Sequence, residues 1–151
     1  MIKLAGLGHV LLRVMDLARA KKFYGDVLGF RVLEEDPEHG GTFMALPGQS
    51  HAIDLFPVKD AAVAARQTPG VRGLGHIAFR VESEAALADA YAALREHGVA
   101  ITRTIDHVSQ KSIYFEDPDG NTLEIYYELP NALQLFAEGR EDRDAPLTLD
   151  R

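Results

Sequence analysis

The sequence contains no cysteine among its 151 residues. Disulfide bonds, thiolate metal sites, thiol nucleophiles and iron–sulfur clusters are therefore excluded. A metal ion would have to be held by imidazole nitrogens and by oxygen atoms, and six histidines are present to supply the former.

The chain also lacks long apolar runs and an excess of positive charge. No run approaches the roughly 20 residues that a membrane helix needs, and residues 1–6 are too few and too polar for the apolar region of a signal peptide. With 16 Lys and Arg against 23 Asp and Glu, the formal net charge is −7, which disfavours phosphate backbones. We therefore expect a cytoplasmic protein that binds neither membranes nor nucleic acid.

An internal repeat is the most informative feature that the sequence does contain. Residues 6–14 return as residues 73–81, 67 positions later, with six of the nine residues identical. Both copies begin Gly-Leu-Gly-His and end in Arg-Val. Because each copy opens about half of the chain, the sequence predicts two similar structural units.

Each half shows the pattern strand, helix, strand, strand, strand. In the first half Asp16 can cap a helix that reaches residue 28, with Gly29 as its stop. In the second half Ser83 can cap a helix that ends at His97-Gly98. The later strands are predicted at residues 31–35, 42–46 and 52–57, and again at 100–104, 112–116 and 122–127.

These elements predict an α+β fold in which two paired βαβββ modules form one cupped mixed sheet with the helices outside, because one such unit is too small to close a core alone. We expect a single domain over residues 1–130. Its parts are module one at 6–58, a linker at 59–72 with a helical turn at 62–65, and module two at 73–130. The charged tail, 131–151, is expected to hold a short helix at 132–138 and then a mobile or partner-bound end.

Strand alternation puts candidate metal ligands on the more polar face of the predicted sheet. His9 and His76 occupy equivalent positions of the repeated strand, and Glu124 is a carboxylate within an otherwise apolar strand. Two imidazoles and one carboxylate form the facial arrangement associated with non-haem ferrous iron, although other divalent metals can occupy it. Alternatively, Glu124 pairs with Arg13 or Arg80, since a buried carboxylate needs a cation.

Four motifs at matching places carry a family resemblance. They are Gly8-His9-Val10, Phe23-Tyr24 with Val27-Leu28-Gly29-Phe30, Gly75-His76-Ile77, and Asp117-Pro118-Asp119-Gly120-Asn121 leading into Leu123-Glu124. Over residues 6 to 128 the sequence resembles the vicinal oxygen chelate superfamily, which includes glyoxalase I, fosfomycin- and bleomycin-resistance proteins and extradiol ring-cleaving dioxygenases. The resemblance implies a cupped metal site built from two βαβββ units, with His9, His76 and Glu124 as the ligands.

A second group of residues resembles the accessory set of extradiol enzymes of the catechol 2,3-dioxygenase type. His107 lies in the corresponding loop, Tyr114 stands ten residues before Glu124, and His51 begins the corresponding strand. The resemblance implies that His107 and Tyr114 hydrogen-bond the substrate and that His51 is the acid–base group. Each of these three residues taken alone also fits a purely structural role.

The resemblance therefore predicts a metal-dependent, extradiol-type dioxygenase that cleaves a catecholic or related small aromatic with O₂. Fe(II) is the first candidate for the metal, and Mn(II), Ni(II) and Zn(II) are the alternatives. Because superfamily members are often dimers, we expect a homodimer.

Two departures from the extradiol pattern keep other functions open. Familiar extradiol enzymes carry an additional, metal-free pair of units, whereas this sequence holds one pair, and Asp54 falls in the first half where Glu124 falls in the second. Glyoxalase-like members use a carboxylate at that place as a fourth ligand, so coordination by Asp54 would favour a glyoxalase, lyase or epimerase activity. The third alternative is a non-catalytic small-molecule binding or resistance protein of the same fold.

Overall fold

A computed structural model describes residues 1–59, 73–139 and 143–149 of the chain. The chain divides into two compact units, Met1–Arg66 and Gln67–Arg151. Each unit holds a mixed β-sheet with its own helix, which confirms the predicted α+β class and its two βαβββ modules. The predicted linker at 59–72, including its helical turn at 62–65, lies outside the described residues apart from Lys59.

The first unit is a βαβββ module with a four-stranded sheet. Its strands are β1 (Val10–Val14), β2 (Arg31–Glu35), β3 (Thr42–Ala45) and β4 (Ile53–Pro57), and its helix α1 (Leu17–Lys22) continues as a π-helical turn, Phe23–Val27. The strand order is β1-β4-β3-β2, with β1 parallel to β4 and the other neighbours antiparallel. Strand β4 is therefore internal to the sheet.

The second unit repeats this order and extends it. Its elements are β5 (Ile77–Val81), α2 (Glu84–Glu96), β6 (Ile101–Asp106), β7 (Gln110–Glu116), β8 (Thr122–Glu128), α3 (Ala132–Glu138) and β9 (Ala145–Pro146). The strand order is β5-β8-β7-β6-β9, with β5 parallel to β8 and the other neighbours antiparallel. Strand β8 is the internal counterpart of β4.

Side chains alternate across each sheet as the sequence predicts. In β1, Leu12 and Val14 are buried, while the intervening Arg13 and the preceding Leu11 are exposed. In the second unit the helix α2 buries Leu87 and Leu94 completely. One face of each sheet thus holds most of the apolar core, and the buried carboxylates Asp54 and Glu124 lie on the opposite face.

The helices begin at the predicted caps. Asp16 accepts a hydrogen bond from the Arg19 amide at 2.9 Å, and Ser83 accepts one from the Ala86 amide at 3.1 Å, so each satisfies a backbone donor of the first turn. The regular part of α1 is shorter than predicted, because the chain changes to π-helical bonding at Phe23. In the described part of the chain, no helix combines the length and the apolar character that a membrane span requires.

The tail differs from its expected form. The helix α3 has the predicted bounds, but the chain after it is not detached, because β9 pairs antiparallel with β6. Thr104 Oγ1 donates to the Leu147 carbonyl at 2.7 Å, and the Leu147 amide donates to the Thr104 carbonyl at 3.2 Å. Backbone groups that β6 would leave unpaired at the sheet edge are satisfied in this way.

Candidate active site

A cleft of about 200 Å³ opens on the second unit. Its lining residues are His76, His107, Ser109, Gln110, Tyr114, Glu124 and Phe136. The structure therefore brings together, in one cleft, all four site residues that the sequence predicts in this half of the chain: His76, His107, Tyr114 and Glu124.

Glu124 is the buried carboxylate of this cleft. It lies in the internal strand β8 and is 2% exposed. The His76 Nε2 atom lies 3.0 Å from its Oε2 atom, and Gln110 Nε2 donates to its Oε1 atom at 2.9 Å. Arg80, considered from the sequence as a partner for Glu124, pairs with Glu128 instead, at 3.0 Å. Glu124 and His76 thus present two adjacent donor atoms suited to a divalent cation.

Strand register makes Tyr114 the neighbour of Glu124. The two residues are paired across β7 and β8. Burial of the phenol, and next the negative charge of Glu124, raise the pKa of Tyr114 above its ordinary value of 10.0. The guanidinium of Arg103, 4.2 Å from the ring centre, acts in the opposite direction on this pKa. The phenol therefore stays protonated at neutral pH and can both donate and accept a hydrogen bond.

A strained turn between β6 and β7 presents His107. The Ser109 amide donates to the His107 carbonyl at 2.7 Å, closing a γ-turn around Val108, whose φ is +69°. Such a φ is unusual for a β-branched residue and persists only where the surroundings hold it. Asp106 helps to hold it by accepting from the Val108 amide at 2.8 Å. The turn brings His107 Nε2 to 2.9 Å from the Tyr114 hydroxyl.

The first unit has a second cluster, made of the remaining three predicted site residues. His9 Nδ1 lies 3.1 Å from His51 Nε2, and Asp54 Oδ2 lies 3.6 Å from His9 Nε2 and 3.8 Å from His51 Nε2. One potential ligand atom from each of the three residues lies within 4.8 Å of the others. Asp54 is 3% exposed, and its Oδ1 atom has no hydrogen-bond partner among the residues that the structure describes.

The two clusters occupy equivalent places in their units. Asp54 pairs with Leu11 of β1 in the same register in which Glu124 pairs with Ala78 of β5. Each unit therefore carries a histidine just before its first strand and a buried carboxylate on its internal strand. The imidazole-to-carboxylate distance is 3.6 Å for His9 and Asp54, against 3.0 Å for His76 and Glu124, in keeping with the shorter side chain of aspartate.

Four residues that the sequence analysis did not select belong to this region. Gln110 lies on the same face of β7 as Ser112 and Tyr114, because these residues follow one another at every second position. Strand periodicity could therefore have found Gln110. Ser109 is buried in the turn after His107, and its hydroxyl has no partner among the described residues. Phe136 of α3 lines the cleft, and Asp144 lies 2.8 Å from His107. No local pattern marks these last two, because long-range packing brings them to the cleft.

Comparison with known proteins decides the family. A family model described as the Glyoxalase/Bleomycin resistance protein/Dioxygenase superfamily matches residues 6–125. The chain belongs to this superfamily. The superfamily contains metalloenzymes, so a site of imidazole and carboxylate donors is in keeping with membership.

Relatives within the superfamily differ in their named activities. Biphenyl-2,3-diol 1,2-dioxygenase 3 from Rhodococcus globerulus is 33% identical over 119 residues, which are 79% of this chain and 61% of that protein. The chain thus spans less than two thirds of that relative. Metallothiol transferase FosB from Staphylococcus epidermidis is 30% identical over 143 residues, which are 89% of this chain and 93% of the transferase.

A solved structure supports the fold. The glyoxylase/bleomycin resistance protein/dioxygenase domain from Frankia sp. EAN1pec is 27% identical, with a TM-score of 0.73, and the match covers 84% of this chain and all of that one. The paired βαβββ fold of the superfamily is therefore the fold of this protein.

Proposed function

We propose that this protein is a metal-dependent, extradiol-type ring-cleaving dioxygenase that acts on a catechol or a related small aromatic. One observation carries the proposal: the hydrogen-bonded pair His107 and Tyr114 lines the same cleft as His76 and Glu124. A site that only binds a metal has no need of this second pair. The named substrate of the Rhodococcus globerulus relative, biphenyl-2,3-diol, has two adjacent aromatic hydroxyls and fits the proposed substrate class.

The proposed metal ligands are His9, His76 and Glu124, with Asp54 as the candidate fourth ligand. The donor set fits a divalent ion, with Fe(II) as the first choice and Mn(II), Ni(II) and Zn(II) as alternatives. The equivalence of His9 with His76 supports the ligand set, since the sequence repeat sets both histidines at the start of corresponding strands. When bound, the metal would orient the two substrate oxygens and stabilise developing negative charge.

The roles of the protein's own groups follow from their hydrogen bonds and burial. The Tyr114 phenol, kept protonated, donates to His107 Nε2, which fixes its direction, and its oxygen can accept a hydrogen bond from a substrate hydroxyl. Phe136 lines the cleft and offers an apolar contact to an aromatic ring bound there. His51 is the proposed acid–base group, and the imidazole of His9 lies within its reach at 3.1 Å.

Oxygen consumption is the direct test of this function. We expect protein loaded with Fe(II) to consume O₂ with at least one catechol of a small panel and to form a yellow ring-opened product. His51→Ala should lower kcat by about 100-fold, which is the low end of what a positioned acid–base group contributes. His97→Ala, an exposed histidine at the end of α2, is the matched control and should leave the rate unchanged. Absence of O₂ uptake with every catechol would contradict the proposal.

A thiol transferase is the second candidate function. It is favoured by the match to metallothiol transferase FosB, because this match extends over 93% of the length of the transferase. Under this alternative, protein loaded with Mn(II) or Ni(II) should consume a low-molecular-weight thiol in the presence of fosfomycin and show no ring cleavage. Assays of catechol cleavage with Fe(II) and of thiol consumption with Mn(II) or Ni(II) therefore distinguish the two functions.

A further inference from the structure

The imidazole of His107 has partners on both ring nitrogens. Nε2 lies 2.9 Å from the Tyr114 hydroxyl, and Nδ1 lies 2.8 Å from Asp144 Oδ1. A carboxylate accepts only, so the hydrogen on the Asp144 side must come from His107 Nδ1. In the neutral ring Nε2 then has no hydrogen and accepts from Tyr114. The three residues form a carboxylate–imidazole–phenol chain that ends in the cleft.

Asp144 is held in place by the end of the second unit's sheet. It directly precedes β9, whose pairing with β6 is the edge contact of that sheet. Residue 106 of β6 pairs with residue 145, so Asp144 lies opposite the strained turn that begins at His107. The carboxylate side chain is 36% exposed and the imidazole is 15% exposed, so the contact between them is partly shielded from water. The sheet therefore fixes both partners.

We infer that Asp144 is a positioning residue, which holds His107 in the Nδ1–H tautomer and thereby directs the hydroxyl of Tyr114. The same logic operates wherever a carboxylate fixes the tautomer and orientation of a functional histidine. Asp144 itself does not line the cleft. This inference rests on the proposed function for its effect on catalysis, but not for its effect on His107.

Nitrogen NMR of the histidine rings tests the inference without any enzymatic activity. The full chain is used with Zn(II) added as a diamagnetic metal, and His107 is assigned by comparison with His107→Gln. We expect wild type to show the hydrogen on Nδ1, and Asp144→Ala to move it predominantly to Nε2. Asp144→Asn should restore the Nδ1–H tautomer, because its amide oxygen still accepts. Glu138→Ala removes an exposed carboxylate of α3 and is the matched control.

The kinetic consequence gives a second readout. We expect Asp144→Ala to lower kcat for catechol cleavage about tenfold, the low end for outer partners of functional histidines, with KM nearly unchanged and Asp144→Asn close to wild type. An unchanged His107 tautomer in Asp144→Ala overturns the inference. So does an altered tautomer with full kcat in protein that cleaves catechols. If no catechol is cleaved, the proposed function fails, and the NMR result still decides the role of Asp144.

Discussion

Glu124 illustrates how a single buried charge is accommodated in this protein. An ionised carboxylate in the middle of a sheet is destabilising by several kcal/mol unless it is hydrogen-bonded. Here His76 contacts one oxygen and Gln110 donates to the other, and both of these partners line the cleft. Gln110 therefore sets the orientation of the carboxylate. A metal cation bound by His76 would also be in reach of the carboxylate oxygen that His76 contacts.

The contact from Gln110 leads to a prediction about metal affinity. Gln110→Ala should weaken binding of Mn(II) or Zn(II) about tenfold, because outer hydrogen-bond partners of metal ligands typically contribute this much. Titration calorimetry of purified protein gives the measurement. Gln134→Ala, on the exposed side of α3, removes a glutamine that bonds to Glu138 and should leave affinity unchanged. Equal affinities in the two variants would show that Gln110 does not orient Glu124.

At the scale of elements, helices and strands could be predicted where the side chains follow a regular periodicity in the sequence. The strand at Arg31–Glu35 and the helix at Ala132–Glu138 have the predicted bounds, and Asp16 and Ser83 cap the predicted helices. Elements that depend on residues distant in the sequence could not be predicted. The strand β9 has two residues, too few for any alternation, and exists because β6 offers an unpaired edge.

The residues of the candidate site also fall into two groups, those that the sequence predicts and those that depend on long-range packing. Residues on repeated strands, such as His9 and His76, are found from the sequence because the repeat sets them at equivalent positions. Asp144 and Phe136 come from the C-terminal segment, and only packing brings them to His107 and the cleft. The strain at Val108 is likewise invisible in the sequence, since valine gives no signal of a positive φ.

The turn between β6 and β7 gives the second prediction. Val108→Gly should leave the free energy of unfolding unchanged or raise it by up to about 2.5 kcal/mol. Relief of a positive φ is worth roughly 1–3 kcal/mol, and the added backbone freedom of glycine removes roughly 0.5–1 kcal/mol. Val99→Gly is the control, because Val99 is also half-buried in the connection between two elements but has no positive φ. Urea denaturation should show this control to be destabilised. A similar loss in both variants would mean that the γ-turn at Val108 stores no strain.

At the scale of the whole molecule, the repeat is present in the structure, whereas the metal site is a proposal. Each unit has the same strand order and carries its own histidine–carboxylate pair. The proposed metal ligands stay His9, His76 and Glu124. The homodimer and the cytoplasmic location stay predictions, which light scattering and cell fractionation would test.

Binding of a metal ion by the proposed ligands has a measurable thermodynamic consequence. Free metal at 100 times its dissociation constant stabilises the folded protein by about 2.7 kcal/mol, so Mn(II) should raise the midpoint of thermal unfolding by several degrees. If His9 and His76 are both ligands, His9→Ala and His76→Ala should each remove most of this increase. His39→Ala, whose imidazole contacts Asp36 in an exposed turn, should keep it.

The pattern of losses among the variants distinguishes the two arrangements. The three potential ligand atoms of His9, His51 and Asp54 lie within 4.8 Å of one another, so the first unit by itself is a competing site. In that case His9→Ala and His51→Ala would abolish the increase, and His76→Ala and Glu124→Gln would retain it in full. Differential scanning calorimetry with and without Mn(II) measures all of these variants under one condition. Retention of the increase in His76→Ala would therefore refute the proposed ligand set, because a ligand that contributes to binding cannot be removed without lowering the metal's stabilisation of the fold.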